Sequence, residues 1–486
     1  MKKAIMGLII ASSILITNLA FWLINQSQML FTFPLDGTDW ATHIFELWAL
    51  DKYGFHGLVP DWYNGYKLFE FYYPGWNLFS LPFLKISGNV LIASFVSIIA
   101  LLIIILIGLF LLGKTQKFSK LQIIGFFAFF AGNALAISNF LRNGRAPELT
   151  AWAIFILLAA LLFYYKDKNL DYKFLLFIPL FSFLMLSHFA TAILFGIFLL
   201  GFFLIKSWKE KLYITACSVT SLALILFWLI PLLRGFSTTY VSTLNYAVRF
   251  YDNSLFSLGL NLILPIATII LFTLYWKQKN YSKEELLFYS PIIALSLLIA
   301  IRFTPLIPIL DKLYPGPPAI FLIFFSLLFL FNLEFKSKYL PALLIIGLAL
   351  CSITINLYST ELFPGRTQFQ QEVIDIIPHI DAKYIVAGEG PEFLNWGIYT
   401  FASIYYNKQT PWGGWQTTAY TSDYQQQVES TYDALMSSNC IEFDKKLEKL
   451  NGNEVLGLGQ MCQTLSVCGF KEKISTESVC LYEIDI

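Results

Sequence analysis

The chain repeats one feature along most of its length: apolar runs long enough to cross a membrane, separated by short polar loops. In hydrocarbon every backbone N–H and C=O must be satisfied within the segment, so such runs have to be helices. A helix needs about 20 apolar residues to cross the hydrocarbon core. Eleven runs meet or approach that length: Ala4–Ile24, Val90–Leu112, Leu121–Ile137, Leu149–Tyr165, Phe174–Leu186, Phe189–Ile205, Leu212–Leu233, Leu255–Trp276, Leu286–Ala300, Ala319–Leu333 and Tyr339–Leu357. Charged residues make up only 13% of the 486-residue chain, where soluble domains carry roughly 25%. The expected fold class is an α-helical polytopic membrane protein of about 11 transmembrane helices, carrying a small C-terminal extracytoplasmic α+β domain. Residues 1–358 would form the membrane domain and 359–486 the outer one.

Basic residues set the orientation, because short loops rich in lysine and arginine stay in the cytoplasm. The segment from Phe174 to Ile205 reads as one long helix or two short ones. Two helices place every lysine-rich loop on one side: Lys114/Lys117/Lys120, Lys166/Lys168/Lys173, Lys206/Lys209/Lys211, Lys277/Lys279/Lys283 and Lys336/Lys338. One helix would flip the later loops outward, so the hairpin is the expected form. Its apex is Ser187-His188. This puts the N-terminus inside and the C-terminal region outside, in a multi-pass plasma-membrane protein. Met1-Lys2-Lys3 and its apolar run resemble a secretory signal. The run is longer than a signal core of about 7–15 residues and no small-x-small cleavage site follows, so it reads as a retained first span.

With that topology all six arginines (Arg142, Arg145, Arg234, Arg249, Arg302, Arg366) fall outside. A planar guanidinium grips phosphate with paired hydrogen bonds and stays charged at any working pH. Arginines kept away from the cytoplasmic face suit a lipid-linked phosphate at the outer face. The net charge of +1 says nothing about nucleic acid, and with no basic run in the chain none is expected as a partner.

Cys217 and Cys351 sit inside apolar runs, where a thiol acts as a small hydrophobe. Cys440, Cys462, Cys468 and Cys480 cluster in the polar C-terminal region and indicate two disulfides in an oxidising compartment. Zinc is the alternative, though no C-x-x-C pair is present. The C-terminal region mixes helical pattern (Gln368–Ile377, Tyr424–Met436) with strand-like runs (Lys383–Ala387, Val479–Ile484).

The outer loops hold the polar residues that chemistry would use. The first, from Asn25 to Asn89, reads Asp36-Gly-Thr-Asp39-Trp-Ala-Thr-His43-Ile-Phe-Glu46. A helix is expected from Asp39, with Asp39 as its N-cap and His43 one turn on. Aromatic stretches follow at Pro60–Tyr66 and Phe71–Trp76, which suit a membrane interface. The next loop reads Asn139-Phe-Leu-Arg142-Asn-Gly-Arg145-Ala-Pro147-Glu148, with Pro147 preparing the first turn of a helix. Glu148 there could serve only the helix dipole, and both arginines could pair with it or with lipid head groups. His188 is either a capped structural imidazole or a phosphate donor. Arg234 follows the seventh run, and Arg249 precedes the eighth. The proline-rich segment from Arg302 to Pro318 is expected to dip into the membrane.

The series Asp39-x-x-x-His43, Pro60-x-Trp62, Gly65-Tyr66, Tyr72-Tyr73-Pro74, Arg142-x-x-Arg145-x-x-Glu148 and Ser187-His188 resembles the membrane family labelled 6-pyruvoyl-tetrahydropterin-synthase-related. The match covers roughly residues 36–231. That label implies no pterin chemistry, since a pterin synthase is a soluble zinc enzyme and this chain has no histidine triad. The layout is also similar to the multi-spanning C-type glycosyltransferases. That resemblance implies an acidic residue in the first outer loop beside a lipid-phosphate site, best matched by Asp39 and next by Asp36. The paired acidic signature of that fold is missing, which leaves a divalent metal open and no cofactor certain.

The expectation is a glycosyltransferase using a polyprenyl-phosphate-linked sugar from the membrane lipid and a glycan or protein acceptor. Asp39 or Asp36 would be the catalytic base. Arg142, Arg145, His188, Arg234 and Arg249 would hold the donor phosphate, supported by His43 and Glu148. Trp412 and Trp415 would stack the acceptor sugar, although packing against the membrane domain is the simpler role for them. The alternatives are a transporter or flippase of a lipid-linked glycan, which calls for broken helices and internal repeats, and a non-catalytic scaffold.

Overall fold

A computed structural model describes residues 2–70, 72–235, 258–307, 310, 313–334, 340–363, 365–388, 392–414 and 422–484. Among these residues five helices are long and apolar enough to cross a membrane, and up to seven spans result if each bent pair counts as one. Lys120–Ala131 meets a second segment ending at Arg142 at 51°, and Trp208–Leu224 meets Leu226–Arg234 at 68°. The runs expected as single spans at Leu121–Ile137 and Leu212–Leu233 are therefore broken. Gly132, at the first break, packs closely on the first helix, where a side chain would strike the Leu15 carbonyl.

The Phe174–Ile205 segment forms two helices, Phe177–Ser187 and Phe189–Ile205, separated by His188 in extended backbone (φ −164°). The hairpin apex and the lysine loops lie at opposite ends of the bundle. Lys206 Nζ donates to the carbonyls of Tyr165, Lys166 and Lys168, and Lys166 pairs with Glu285. Gln116 bonds Asn332, and Gln278 bonds Glu334. These contacts gather the loops after five helices at one end. The described arginines lie at the other. Arg142 and Arg145 flank the start of the Ala146–Tyr165 helix. Arg234 follows Trp228, whose indole bonds the Tyr72 carbonyl. Arg302 ends the helix that begins beside Glu285, and Arg366 lies over Phe401. Lys336, Lys338 and Arg249 lie outside the described residues.

The Ala146–Tyr165 helix is the central post. It is buried over nearly its whole length and packs on Val90–Thr115, Phe177–Ser187 and Phe189–Ile205. Such all-round apolarity is what a helix surrounded by other helices requires.

Between the first and second long helices, residues 27–70 and 72–89 build a structure of their own. It comprises the Asp39–Tyr53 helix, a short antiparallel pair β1 (Leu58–Val59) and β2 (Tyr66–Lys67), and the Gly75–Ser87 helix. The C-terminal region carries four strands, β3 (Tyr384–Gly388), β4 (Glu454–Leu458), β5 (Lys471–Ser475) and β6 (Val479–Glu483), in the order β3-β4-β6-β5. β3 and β4 are parallel, and the other pairs are antiparallel. Side chains alternate faces along a strand. Val386, Leu456 and Leu481 join the core shared with the helix bundle, while Ile385, Val455 and Tyr482 close a separate small core. The four clustered cysteines pair as Cys440–Cys468 and Cys462–Cys480.

Candidate active site

The Asp39–Tyr53 helix is held in place by the second arginine loop. Thr38 Oγ1 donates to the Asn143 carbonyl at 2.7 Å, the Asp39 N–H donates to the same oxygen at 3.2 Å, and Trp40 Nε1 donates to the Leu141 carbonyl at 2.7 Å. Gly144 makes this closeness possible. Its φ is +79°, and a Cβ there would stand 2.6 Å from the Trp40 nitrogen. The C-terminal region holds the helix from the other side. Thr400 Oγ1 donates to the Ala41 carbonyl, and a side chain at Gly397 would overlap the Leu35 backbone.

Asp39 does not cap its helix as expected. The N-cap is Thr38, at φ 55°, and neither residue makes a side-chain capping bond. The carboxylate turns instead to Arg145, with Oδ2 4.0 Å from Nε. Asp39 keeps 17% of its side chain exposed and Arg145 25%. Burial raises the Asp39 pKa above the usual carboxylate value, against the opposing pull of Arg145 and His43.

Arg145 is positioned by a residue from a distant segment. Its guanidinium lies 4.5 Å from the centre of the Tyr314 ring, a cation–π contact. Tyr314 donates its hydroxyl to Glu148 Oε2, and Trp152 Nε1 donates to Oε1 of the same carboxylate at 3.3 Å. Glu148 is therefore a buried anchor for Tyr314, beyond any effect on the helix dipole. Tyr314 belongs to the proline-rich segment, and its ring is brought to this point of the bundle. Gly316 sits against Tyr314, Asn139 and Arg145, leaving no room for a larger residue.

A row of rings leads away from Tyr314. His188 lies 6.3 Å from Tyr314 and 5.8 Å from Tyr73, Tyr73 lies 5.0 Å from Tyr72, and Tyr72 stacks on His43 at 5.6 Å. His188 Nδ1 bonds Thr191 Oγ1 at 2.8 Å. The first loop approaches this hairpin closely because residue 75 is glycine, since a Cβ there would lie 2.4 Å from Ser187 Oγ.

The structure thus gathers Asp39, His43, Arg145, Glu148 and His188. It separates them from the other expected residues. Arg142 turns to the opposite side of its loop, with its guanidinium 4.5 Å from the Phe363 ring centre. It is the opposite charge that most favours ionised Asp36, whose pKa burial nevertheless raises. The two arginines therefore do not form one clamp. Arg234 is exposed near the end of its helix. Trp412 is 91% buried, against Tyr63 and Tyr432, and its neighbours Gly413 and Gly414 press on Trp62. It fills the seam between the two parts of the chain and is not presented to a sugar. Arg249 and Trp415 lie outside the described residues. Among the described residues no group of three or more His, Cys, Asp or Glu side chains is placed to hold a metal ion. The divalent metal that the resemblance leaves open has no ready ligand set among them.

Sequence reasoning missed Tyr314 and left Glu46 and Tyr72 without a role. The Tyr-Pro-Gly-Pro-Pro string before an apolar run was a usable signal for the first, because prolines that open a span fix the aromatic residue preceding it.

The fold has counterparts of known structure. Arabinofuranosyltransferase AftD from Mycobacteria superposes on 97% of this chain with a TM-score of 0.63 and 13% identity. The archaeal oligosaccharyltransferase AglB from Archaeoglobus fulgidus, solved with an inhibitory peptide and a dolichol-phosphate, also covers 97%, with a TM-score of 0.54 and 11% identity. The chain shares the fold of these membrane glycosyltransferases. It spans 40% of the AftD chain and 74% of the AglB chain. No protein-family profile matches the chain, so the pterin-synthase-related resemblance rests on its motifs alone. No curated protein matches it either.

Proposed function

We propose that the chain is an integral membrane glycosyltransferase. It takes a sugar from a polyprenyl-phosphate donor at the outer face of the plasma membrane and passes it to a glycan or protein acceptor of the cell envelope. The observation that carries this reading is the Asp39–Arg145 pair at the arginine end of the bundle. It sets a candidate base beside a candidate phosphate ligand, in a fold shared with two glycosyltransferases.

In this reading the donor reaches the arginine end from the bilayer with its phosphate on Arg145. The acceptor hydroxyl approaches the anomeric carbon from the Asp39 side, and Asp39 accepts its proton. The bond from the anomeric carbon to the phosphate oxygen breaks, and the electron pair leaves with the phosphate. The guanidinium stabilises that charge as it develops, in a partly water-excluded site where such contacts count most. With no covalent intermediate the configuration inverts. Residues 359–486 form the outer domain, stapled by its two disulfides, and they hold the acceptor side.

A flippase for a lipid-linked glycan is the second reading, because two bent helix pairs occur where transporters use broken spans. The ionisable groups described above collect at the two ends of the bundle rather than at mid-span, which supports transfer. The deciding experiment uses full-length protein in liposomes with a panel of radiolabelled polyprenyl-phosphate sugars. Label passing to an acceptor with wild type, and ceasing with Asp39→Asn, supports the transferase. Donor crossing the bilayer without transfer establishes the flippase. The absence of both transfer and donor binding overturns the lipid-phosphate reading.

A further inference from the structure

A second pair of ionisable groups lies one turn further along the Asp39 helix and has no part in the account above. His43 and Glu46 are 1% and 3% exposed. His43 Nδ1 lies 3.1 Å from Glu46 Oε2, and Asn77 Nδ2 points to the same oxygen at 3.4 Å. The imidazole is held between Tyr72, stacked at 5.6 Å, and Trp76 at 6.0 Å. The contact to Glu46 is made by Nδ1, so Nε2 is the other nitrogen of the ring.

Burying a carboxylate costs several kcal/mol unless it is paired and hydrogen-bonded. Two apolar residues would pack this helix onto the Gly75–Ser87 helix more cheaply. The pair has a chemical consequence that packing does not need. A carboxylate that accepts from Nδ1–H fixes the ring tautomer, leaving the Nε2 lone pair bare. It also stabilises the imidazolium once Nε2 takes a proton. Asp39 lies four residues earlier, on the same face of the helix.

We infer that Glu46 and His43 form a proton relay behind Asp39, an inference that rests on the glycosyltransferase reading. As the acceptor oxygen bonds to the anomeric carbon, its proton passes to the Asp39 carboxylate and on to Nε2 of His43. Glu46 holds the resulting imidazolium, and the proton is lost to water before the next turnover. Asp39 is then ionised again for each new acceptor. His43 acts through Asp39 and is a positioning and relay residue, with Glu46 behind it. The charged and titratable groups that face the ring are Glu46 and Asp39 on its own helix, Tyr72 stacked on it from the loop, and His188 from the hairpin apex.

The test has two measurements on full-length reconstituted protein. The chain has four histidines, so ¹⁵N-histidine labelling with single substitutions assigns each ring by NMR. The relay requires His43 to carry its proton on Nδ1 with Nε2 bare at neutral pH. A proton on Nε2 instead overturns it, whether or not transfer occurs. The second measurement is the pH profile of transfer from whichever radiolabelled polyprenyl-phosphate sugar the wild type uses. Glu46→Gln preserves an acceptor for Nδ1–H and removes the charge, so the acid limb should move down by about one pH unit. His43→Gln should lower transfer roughly 100-fold, the lower end for a proton-transfer group. A Glu46→Gln profile that superposes on wild type overturns the relay and leaves the transferase standing. A wild type that transfers no sugar while His43 shows the expected tautomer overturns the transferase reading itself, and the relay with it.

Discussion

Arg145 Nε stands 4.0 Å from Asp39 Oδ2, while its guanidinium covers the Tyr314 ring at 4.5 Å. One side chain thus ties together the first loop, the second loop and the segment before the Gly316–Asn332 helix. Lysine keeps the charge at this position but loses both the stack and the fork. Arg145→Lys is expected to fold normally and to lose about 10²–10³ in kcat, the cost typical of removing a preorganised donor to a developing anion. Steady-state kinetics with the Tm measured alongside checks this. A variant with wild-type kcat would remove Arg145 from the phosphate site.

Asp39 gives a prediction in which stability and activity move in opposite directions. Burial raises its folded pKa. Between the unfolded and folded values the native state binds more protons, so stability falls as pH rises through that window. Asp39→Asn removes the burdened carboxylate and is expected to raise the Tm at pH 8 relative to wild type, with little difference at pH 4. Transfer should fall about 10²–10⁴-fold, as expected for loss of a general base. In the wild type, transfer should decline as pH drops toward the raised Asp39 pKa, because the base must be ionised to act. Thermal shift and transfer assays at both pH values test the pair of statements. A destabilised Asn variant at pH 8 would mean that the Arg145 contact outweighs burial.

The sequence made the membrane class and the grouping of basic residues legible, because both depend on composition averaged over whole segments. The hairpin at Ser187-His188 was legible for the same reason, since the lysine loops on either side constrained it. The breaks after Ala131 and Leu224 were not, because they depend on what each helix packs against. Gly132 meets the first helix, more than a hundred residues away in sequence. At the site, Asp39 and Arg145 were legible as residue types in loops, but their pairing was not. Arg142 and Arg145 look alike on paper and face opposite sides of one short turn, which the left-handed backbone at Gly144 decides. Glu148 looked like a dipole residue because its partner Tyr314 comes from so far along the chain.

Gly144 itself is a sensitive position in this assembly. An alanine Cβ would stand 2.6 Å from the Trp40 nitrogen and 2.7 Å from its ring, at a φ of +79°. Left-handed backbone costs a non-glycine residue roughly 1–3 kcal/mol before any clash. Gly144→Ala is expected to destabilise the protein by about 2 kcal/mol or more and to reduce transfer far more than its Tm implies, because Arg145 moves with the turn. Gly459 provides the control. It also has a left-handed φ, +57°, but open space around it. Alanine there should cost about 1 kcal/mol and leave transfer intact. Equal loss of activity in both variants would show that global stability, and not the placement of Arg145, governs turnover.

The two disulfides allow the C-terminal region to be loosened without touching the site. Cys440–Cys468 closes 28 residues and Cys462–Cys480 closes 18. Loop-closure entropy alone gives each about 3 kcal/mol. Cys462–Cys480 joins the Met461–Val467 helix to β6, at the small core on the sheet face turned away from the bundle. The opposite face belongs to the shared core, and Thr400 reaches the Asp39 helix from the region next to it. A paired Cys462→Ser/Cys480→Ser variant should therefore loosen the small core first. Hydrogen exchange is expected to rise across residues 454–483 while the amides of the Asp39–Tyr53 helix stay protected. Donor binding should remain at wild-type strength, and transfer to a large acceptor should fall more than transfer to a short one. Loss of protection that spreads at once to the Asp39 helix would show that the sheet and the bundle unfold as one unit.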